Sequence, residues 1–552
     1  MENPNRTDSG ASPGKGATVH SLLDEAVAEV PDRQCLRDSR TRLTYRQIAS
    51  LSHAFAAWLD RAGVRGGDRL LVQLASGHEL VAMVYGASRA GVVLVPVNPA
   101  MKEYHLRSVI GDAEPALVIA SGTATAVLES LAPVPVRDLA ELWPEVTALA
   151  AQDPAPVVER HTAPDDLAFL VYTSGSTAAP KAVICPHAQV TFVSRAIQQV
   201  LGYRPDDVVF CRFPLSWDYG LYKVLLACLG RSELVLAGDE SDLVLLRRMR
   251  ETGATVVPIV PSLATMIGSL ARRDGENPPP VRLFTNTGAA LPAHAIATLR
   301  EAFPGVRVVR QFGQTECKRV SVMPPDEDGE RPDSVGLPLP GTRVLLLDPD
   351  GHPVPQGEVG EIVAVGPHVM PGYWRRPELT AATFRPDPET GERRLHTGDY
   401  GRFDEDGYLY FEGRRDDMFK RKGIRMSTVE IEAAAMDIPG VRTATALPPT
   451  GGRDLVIFAE TELPPHTVLK ELAQRLEQAK VPALCRTLTE LPLSLHGKNA
   501  RQALAEMVDA EAEGSRPEGS RPEGSRPEGS TTGGAGPDDS TTYGSTTDGE
   551  GR

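Results

Sequence analysis

The chain has 552 residues, 41% of them apolar, and a net charge of −15. That length exceeds what one compact core accommodates, so two or more domains are expected, and the apolar content is that of a globular protein. The acidic balance argues against nucleic acid as the main partner. No run approaches the roughly 18 apolar residues that span a bilayer, so no membrane partner is expected.

Residues 1–16 are polar, lack an apolar stretch of the kind that directs secretion, and read as disordered. Cysteines at 35, 185, 211, 228, 317 and 485 form no C-x-x-C pair. They read as reduced thiols of a cytoplasmic protein, not as a disulfide or zinc framework. From Tyr45 onward, apolar runs alternate with helical patterns. An amphipathic helix is predicted over Tyr45–Ala62, and strands over Arg69–Leu74, Val92–Val97, Leu117–Ala120, Leu167–Val171 and Val208–Arg212. That alternation predicts an α/β fold of layered subdomains. After about residue 340 the strands come closer together, at Val344–Leu347, Glu361–Val365 and Tyr408–Glu412, which suits a small β-rich subdomain. Residues 417–507 read as a compact α+β module with helix Thr428–Asp437, strand Leu455–Glu460 and helix Thr467–Gln478. Beyond it, Glu-Gly-Ser-Arg-Pro recurs at 513–517, 518–522 and 523–527 in a polar tail running to Arg552. Such a tail cannot bury enough apolar surface to offset its ordering entropy.

Residues 172–181 read Tyr-Thr-Ser-Gly-Ser-Thr-Ala-Ala-Pro-Lys. Ser174, Gly175, Ser176 and Thr177 offer backbone N–H groups and hydroxyls to one anion, and Lys181 adds a positive charge. A strand feeding such a loop is a common phosphate cradle, although the spacing is not that of a Walker loop. The plain alternative is a surface turn. Further motifs follow: Phe312-Gly313-Gln314-Thr315-Glu316, Thr397-Gly398-Asp399, Gly413-Arg414 with Asp416, Lys420 and Gly423, then Leu491-Pro492 and Gly497-Lys498. In this order, over about residues 20–507, the chain resembles the adenylate-forming superfamily of acyl-CoA ligases, peptide-synthetase adenylation domains and luciferases.

The resemblance implies a large N-terminal domain (17–412), a hinge (413–416) turning at Asp416, and a small mobile α+β C-terminal domain (417–508), between disordered ends at 1–16 and 509–552. It implies that a carboxylate and ATP give an acyl-adenylate and pyrophosphate. Thr173 and the loop through Thr177, with Lys181, would hold the β- and γ-phosphates. Ala178 and Ala182 stand where the family usually has glycines. Thr315 would contact the α-phosphate, and Glu316 would help hold Mg²⁺, which favours hard oxygen ligands. Phe312 would stack on adenine, and Gly288, Ala289 and Ala290 would line it. Asp399 would bind both ribose hydroxyls, and Arg414 would reach the ribose or a phosphate. Lys498 would neutralise growing charge at the reacting phosphorus. For thiolation, hinge rotation would replace the Lys498 loop with the 417–425 segment. Lys420 and Gly423 would serve there, Gly423 letting a pantetheine arm pass. The cluster Lys420, Arg421, Lys422 and Arg425 reads either as a docking patch for an acidic carrier protein or CoA phosphates, or as a solvated loop.

Two features bear on the acyl substrate. In the family the segment Ser216-Trp217-Asp218-Tyr219-Gly220 lines the acyl pocket, where the resemblance also places Thr287. Asp218 would bind a substrate ammonium; alternatively it caps the following helix. Lys318 and Arg319 would take a second substrate carboxylate; alternatively they are an exposed pair. The expected pocket has a negative anchor on one wall and a twin positive anchor on the other. This combination resembles the stand-alone β-amino acid adenylation enzymes of macrolactam polyketide pathways. It implies aspartate or 3-methylaspartate, activated at the carboxylate β to the amine and passed to a discrete acyl carrier protein. An acyl-CoA ligase for another acid remains the alternative. The set Lys498, Asp399, Glu316 and the Ser/Thr loop argues against a non-catalytic relic.

Overall fold

The computed structural model describes residues 17–514 except 153–155, 159, 174–179, 239–240, 275–276, 326, 415–417, 422–423, 451–452, 477, 479 and 493–500. Both expected disordered ends therefore lie wholly or largely outside the described residues. Residues 1–491 and 492–552 form two separate compact units. In the second, the described element is helix Arg501–Gly514.

Two large sheets organise the first unit. One has six strands, in the order Val136–Asp138, Leu117–Ala120, Arg69–Gln73, Val93–Pro96, Leu167–Thr173 and Lys181–Pro186. Its strands run parallel until the last pair, which is an antiparallel hairpin with Thr173 opposite Lys181. The phosphate-loop sequence therefore connects two paired strands. The second sheet has fourteen strands. Gln34–Arg37, Glu233–Leu236, Val208–Cys211, Val256–Ile259, Leu283–Asn286 and Arg307–Phe312 form its parallel half. Pairing then turns antiparallel through Ser321–Val322 and Ser334–Pro338 into Leu409–Arg414, Arg393–Phe403, Gly360–Val365 and Arg343–Leu347. The expected small β-rich subdomain is thus joined to the α/β sheet by continuous pairing.

The parallel strands are short apolar runs because helices cover both of their faces. Leu117–Ala120 and Glu233–Leu236 are buried along their whole length. Helix Tyr45–Arg61 starts at a capping box formed by Thr44 and Gln47 and buries Ile48, Phe55 and Leu59. Helix Asp218–Gly230 is apolar on nearly every side and correspondingly buried.

The α+β module expected after residue 417 has its own apolar core, including Ile431, Ile438, Ile457, Val468 and Leu472. Around it stand a three-stranded sheet (Val441–Leu447, Val456–Thr461, Leu484–Leu488) and the helices Thr428–Met436 and Pro465–Arg475. All six cysteines are buried and unpaired. Among the described residues no helix is long and apolar enough to cross a membrane.

Candidate active site

The strand Arg307–Phe312 delivers the central motif. It ends at Phe312, and the chain then folds back so that Gly313 packs against Lys318 and Arg319. A Cβ added at Gly313 would lie 2.6 Å from Arg319 Cα and 2.7 Å from the Lys318 carbonyl oxygen, so only glycine fits. Lys318 takes a left-handed conformation, φ 65°, uncommon for a residue with a Cβ. This tight loop carries Thr315, Glu316, Lys318 and Arg319 into one region.

At the acyl end, Lys318 Nζ lies 3.1 Å from Asp218 Oδ2. Thr315 Oγ1 donates to that same oxygen at 3.4 Å. The expected arrangement of opposite walls is therefore corrected. The negative and positive anchors are direct neighbours, because the reversed loop aims the Lys318 amine at the first turn of helix Asp218–Gly230. Trp217, not Asp218, is the N-cap of that helix, and it makes no side-chain cap. Lys318 is 2% exposed, whereas the Asp218 side chain keeps 24% of its surface accessible. The carboxylate can thus be reached while the amine is sealed in. The Lys318 amine meets a single carboxylate oxygen, so among the described residues its three donors are not all filled.

Burial lowers the Lys318 amine from the ordinary lysine value to about 7; the Asp218 carboxylate opposes the shift and Arg319 adds to it. Burial alone would raise the Asp218 carboxyl, but the neighbouring Lys318 and Arg319 outweigh it and hold the group below its usual range. Arg319 is buried too. Its Nε donates to Gln311 Oε1 at 3.0 Å and its Nη1 to the Lys318 carbonyl at 2.6 Å. Its guanidinium carbon stands 5.4 Å from the Tyr219 ring centroid. The exposed-pair alternative for Lys318 and Arg319 is thereby excluded. Trp217 packs near Phe213 at 6.5 Å. Thr287 is buried just past strand Leu283–Asn286, to which helix Asp218–Gly230 is tied by Tyr219 Oη donating to the Thr285 carbonyl at 2.6 Å.

At the expected phosphate end, Lys181 Nζ donates to Glu316 Oε1 at 3.3 Å and to Tyr373 Oη at 2.8 Å. Tyr373 Oη in turn donates to Glu316 Oε1 at 2.5 Å. Thr173 ends the strand that feeds the loop, and its buried hydroxyl has no partner among the described residues. Ser174, Gly175, Ser176 and Thr177 lie outside the described residues.

At the expected nucleoside end, Asp399 and Arg414 face each other across paired strands, with Arg414 Nε 3.2 Å from Asp399 Oδ1. The Phe312 ring lies 5.3 Å from that of Phe411. Gly288 has φ 88°, and Asn286 Nδ2 donates to the Ala289 carbonyl at 2.9 Å, which closes the turn carrying Ala289 and Ala290.

Lys498, Asp416 and Gly423 lie outside the described residues, as does the side chain of Lys420. One member of the expected docking patch is corrected. Arg421 keeps only 9% of its side chain exposed; it donates to Asp454 and to the Val481 carbonyl, so it serves the module's own structure. Sequence reasoning missed Tyr373 and the fully buried Lys223. The signal for Lys223 was a lone cation in a helix that is apolar beyond its first residue, Asp218.

Residues 23–374 match the AMP-binding enzyme family, and the chain belongs to it. It is an ATP-dependent, adenylate-forming enzyme. Among relatives, it is 28% identical over 516 residues to tyrocidine synthase 3 of Brevibacillus parabrevis and 32% identical over 509 residues to the AMB antimetabolite synthetase AmbB of Pseudomonas aeruginosa. These matches cover 92% and 90% of this chain but span 8% and 40% of those longer proteins. Among solved structures it is 52% identical to VinN, with a TM-score of 0.69, over 72% of this chain and 99% of that one. VinN has also been solved with L-aspartate (52% identity, TM-score 0.67) and with 3-methylaspartate (48%, 0.62), over the same shares of the two chains.

Proposed function

We propose that the enzyme activates an amino dicarboxylate, aspartate or 3-methylaspartate, at the carboxylate β to its amine. It then passes the acyl group to the phosphopantetheine thiol of an acyl carrier protein, as the loading step of polyketide macrolactam biosynthesis. The observation that carries the substrate reading is the buried Lys318 amine with unfilled donors beside a reachable Asp218 carboxylate. An apolar acid would bury this ion pair in a low-dielectric pocket while offering no further partner to either charge, which is costly. A zwitterion with a spare carboxylate supplies the ammonium for Asp218 and the anion for Lys318 and Arg319. The VinN structures with L-aspartate and 3-methylaspartate support the same reading.

In this mechanism Thr315 spans the two substrates. Its hydroxyl lies against the amine anchor, and it stands three residues past the strand end at Phe312, the residue read as stacking on adenine. Thr173, Lys181 and the loop between them receive the β- and γ-phosphates, Asp399 and Arg414 the ribose. Glu316 suits Mg²⁺, since Oε1 carries all its contacts to described residues and Oε2 is left for a cation. The metal, when bound, would supply charge neutralisation at the phosphates. Lys498 completes adenylation, and rotation about Asp416 then brings the Lys420–Gly423 segment to the thiol entry.

ATP–pyrophosphate exchange tests the substrate reading. Exchange with aspartate or 3-methylaspartate, and none with benzoate or fatty acids, is expected; the reverse pattern replaces this reading with that of an ordinary acyl-CoA ligase. A carrier protein bearing phosphopantetheine should gain the acyl mass. Loading of CoA alone would overturn the carrier assignment.

A further inference from the structure

Tyr373 belongs to no motif singled out in the sequence, yet it touches both charged groups of the phosphate end. It is 4% exposed. Its hydroxyl donates to Glu316 Oε1 at 2.5 Å and accepts from Lys181 Nζ at 2.8 Å, while Nζ sits 4.0 Å from its ring centroid. The backbone around it is bonded on two sides. Tyr373 bridges Val183, Gly372 O accepts from Ile184 N at 3.0 Å, and Trp374 N donates to Ala182 O at 2.9 Å. On the other side Met370 N donates to the Glu316 carbonyl at 3.0 Å. Gly372 makes the turn: its φ is 150°, and an added Cβ would lie 2.4 Å from Thr380 Cγ2. Thr380 Oγ1 also accepts from Tyr373 N at 3.0 Å. The phenol is therefore fixed relative to both the strand that begins at Lys181 and the backbone of Glu316.

We propose that Tyr373 is a positioning residue for metal binding, its hydroxyl aiming the Glu316 carboxylate at the divalent cation that accompanies ATP. The inference rests on the reading of Glu316 as the metal carboxylate. A neutral donor suits this task better than a second cation, because it can keep its hydrogen bond when a metal arrives. Lys181, by contrast, compensates Glu316 before the metal binds and is released to the phosphates afterwards. Groups that orient a metal ligand in this way typically account for about 10–100-fold in metal affinity.

The test is Tyr373→Phe in the full chain, with Mn²⁺ binding followed by electron paramagnetic resonance in the presence of a non-hydrolysable ATP analogue. Phenylalanine keeps the ring under Lys181, so the melting temperature should stay within about 2 °C while the Mn²⁺ Kd rises about tenfold. An unchanged Kd, with the wild-type protein binding tightly, overturns the inference and leaves the metal reading standing. A wild-type protein that adds nothing to Mn²⁺ binding by the analogue alone overturns both. Should the Phe variant lose stability, a cycle with Glu316→Gln decides. Tyr373→Phe should change Mn²⁺ affinity less than about twofold once Glu316 is gone, and losses that simply add would overturn the inference.

Discussion

Titration of Lys318 should be visible in the pH dependence of substrate choice. Its amine is pulled to about 7 by burial, so in the free enzyme it sheds its proton as the pH rises past neutrality. A second substrate carboxylate binds the protonated form and raises its affinity for the proton. Binding of aspartate above pH 7 therefore takes up a proton. The kcat/KM for aspartate should be full below pH 7 and fall by up to about tenfold per pH unit above it, one unit of pKa being about 1.4 kcal/mol. Between pH 7 and pH 9 the limiting loss is about 100-fold, or about 2.7 kcal/mol. The assay is pyrophosphate release across pH 6–9 with L-aspartate and with 3-aminopropanoate, which is aspartate without its spare carboxylate. ATP and the substrate amine titrate in both series, so the ratio of the two kcat/KM values isolates Lys318. Lys318→Arg should flatten the falling limb, because a guanidinium keeps its charge over this range. Parallel profiles for the two acids, or a limb that survives in Lys318→Arg, would refute the assignment of Lys318 to the spare carboxylate.

Asp218→Asn should cut kcat/KM for aspartate at least 30-fold, since removing one partner of a buried charge pair costs roughly 2–5 kcal/mol. The KM for ATP should stay within about threefold of wild type, and a larger change would place Asp218 in nucleotide binding. Gly313→Ala forces a Cβ into the Lys318–Arg319 backbone. It should erase the preference for aspartate over 3-aminopropanoate, read as the ratio of their exchange rates. Lys498→Ala should abolish pyrophosphate exchange while thiol transfer from a supplied acyl-adenylate persists; equal damage to both half-reactions would contradict the hinge scheme. Lys223 is 1% exposed and, among the described residues, bonds to no carboxylate. Burial depresses its amine well below 10.5, so the unfolded chain binds the extra proton and stability rises with pH toward that value. Lys223→Met should therefore melt higher than wild type at pH 7, with the gap narrowing as pH approaches 10 in calorimetry.

The elements legible in the sequence were those with a strong local period. Leu167–Val171 reads as a strand from its apolar run alone, and the structure extends it to Thr173. Helix Tyr45–Ala62 was legible from its amphipathic spacing, and it ends at Arg61. Sheet order was not legible, because the run Arg343–Leu347 carries no mark of belonging to the same sheet as Val208–Cys211. Motif residues were found wherever chemistry is concentrated in consecutive positions, as at Thr315-Glu316. What escaped was contact between distant positions. Tyr373 is 57 residues from Glu316 and 192 from Lys181, and an isolated Gly-Tyr-Trp announces no partner.

The contact between Asp218 and Lys318 also alters the physical argument made from their sequence positions. A lone buried carboxylate calls for a substrate ammonium simply because it lacks a cation. Here it already has one, so the electrostatic gain from the substrate cannot be the rescue of an unpaired charge. The gain lies in exchange. An incoming ammonium takes over Asp218, which frees Lys318 for the incoming carboxylate, and neither protein charge is ever left alone in the pocket. A substrate bearing the ammonium alone would strand the buried Lys318, and one bearing only the extra carboxylate would crowd Asp218. Discrimination against both follows from the same 3.1 Å contact.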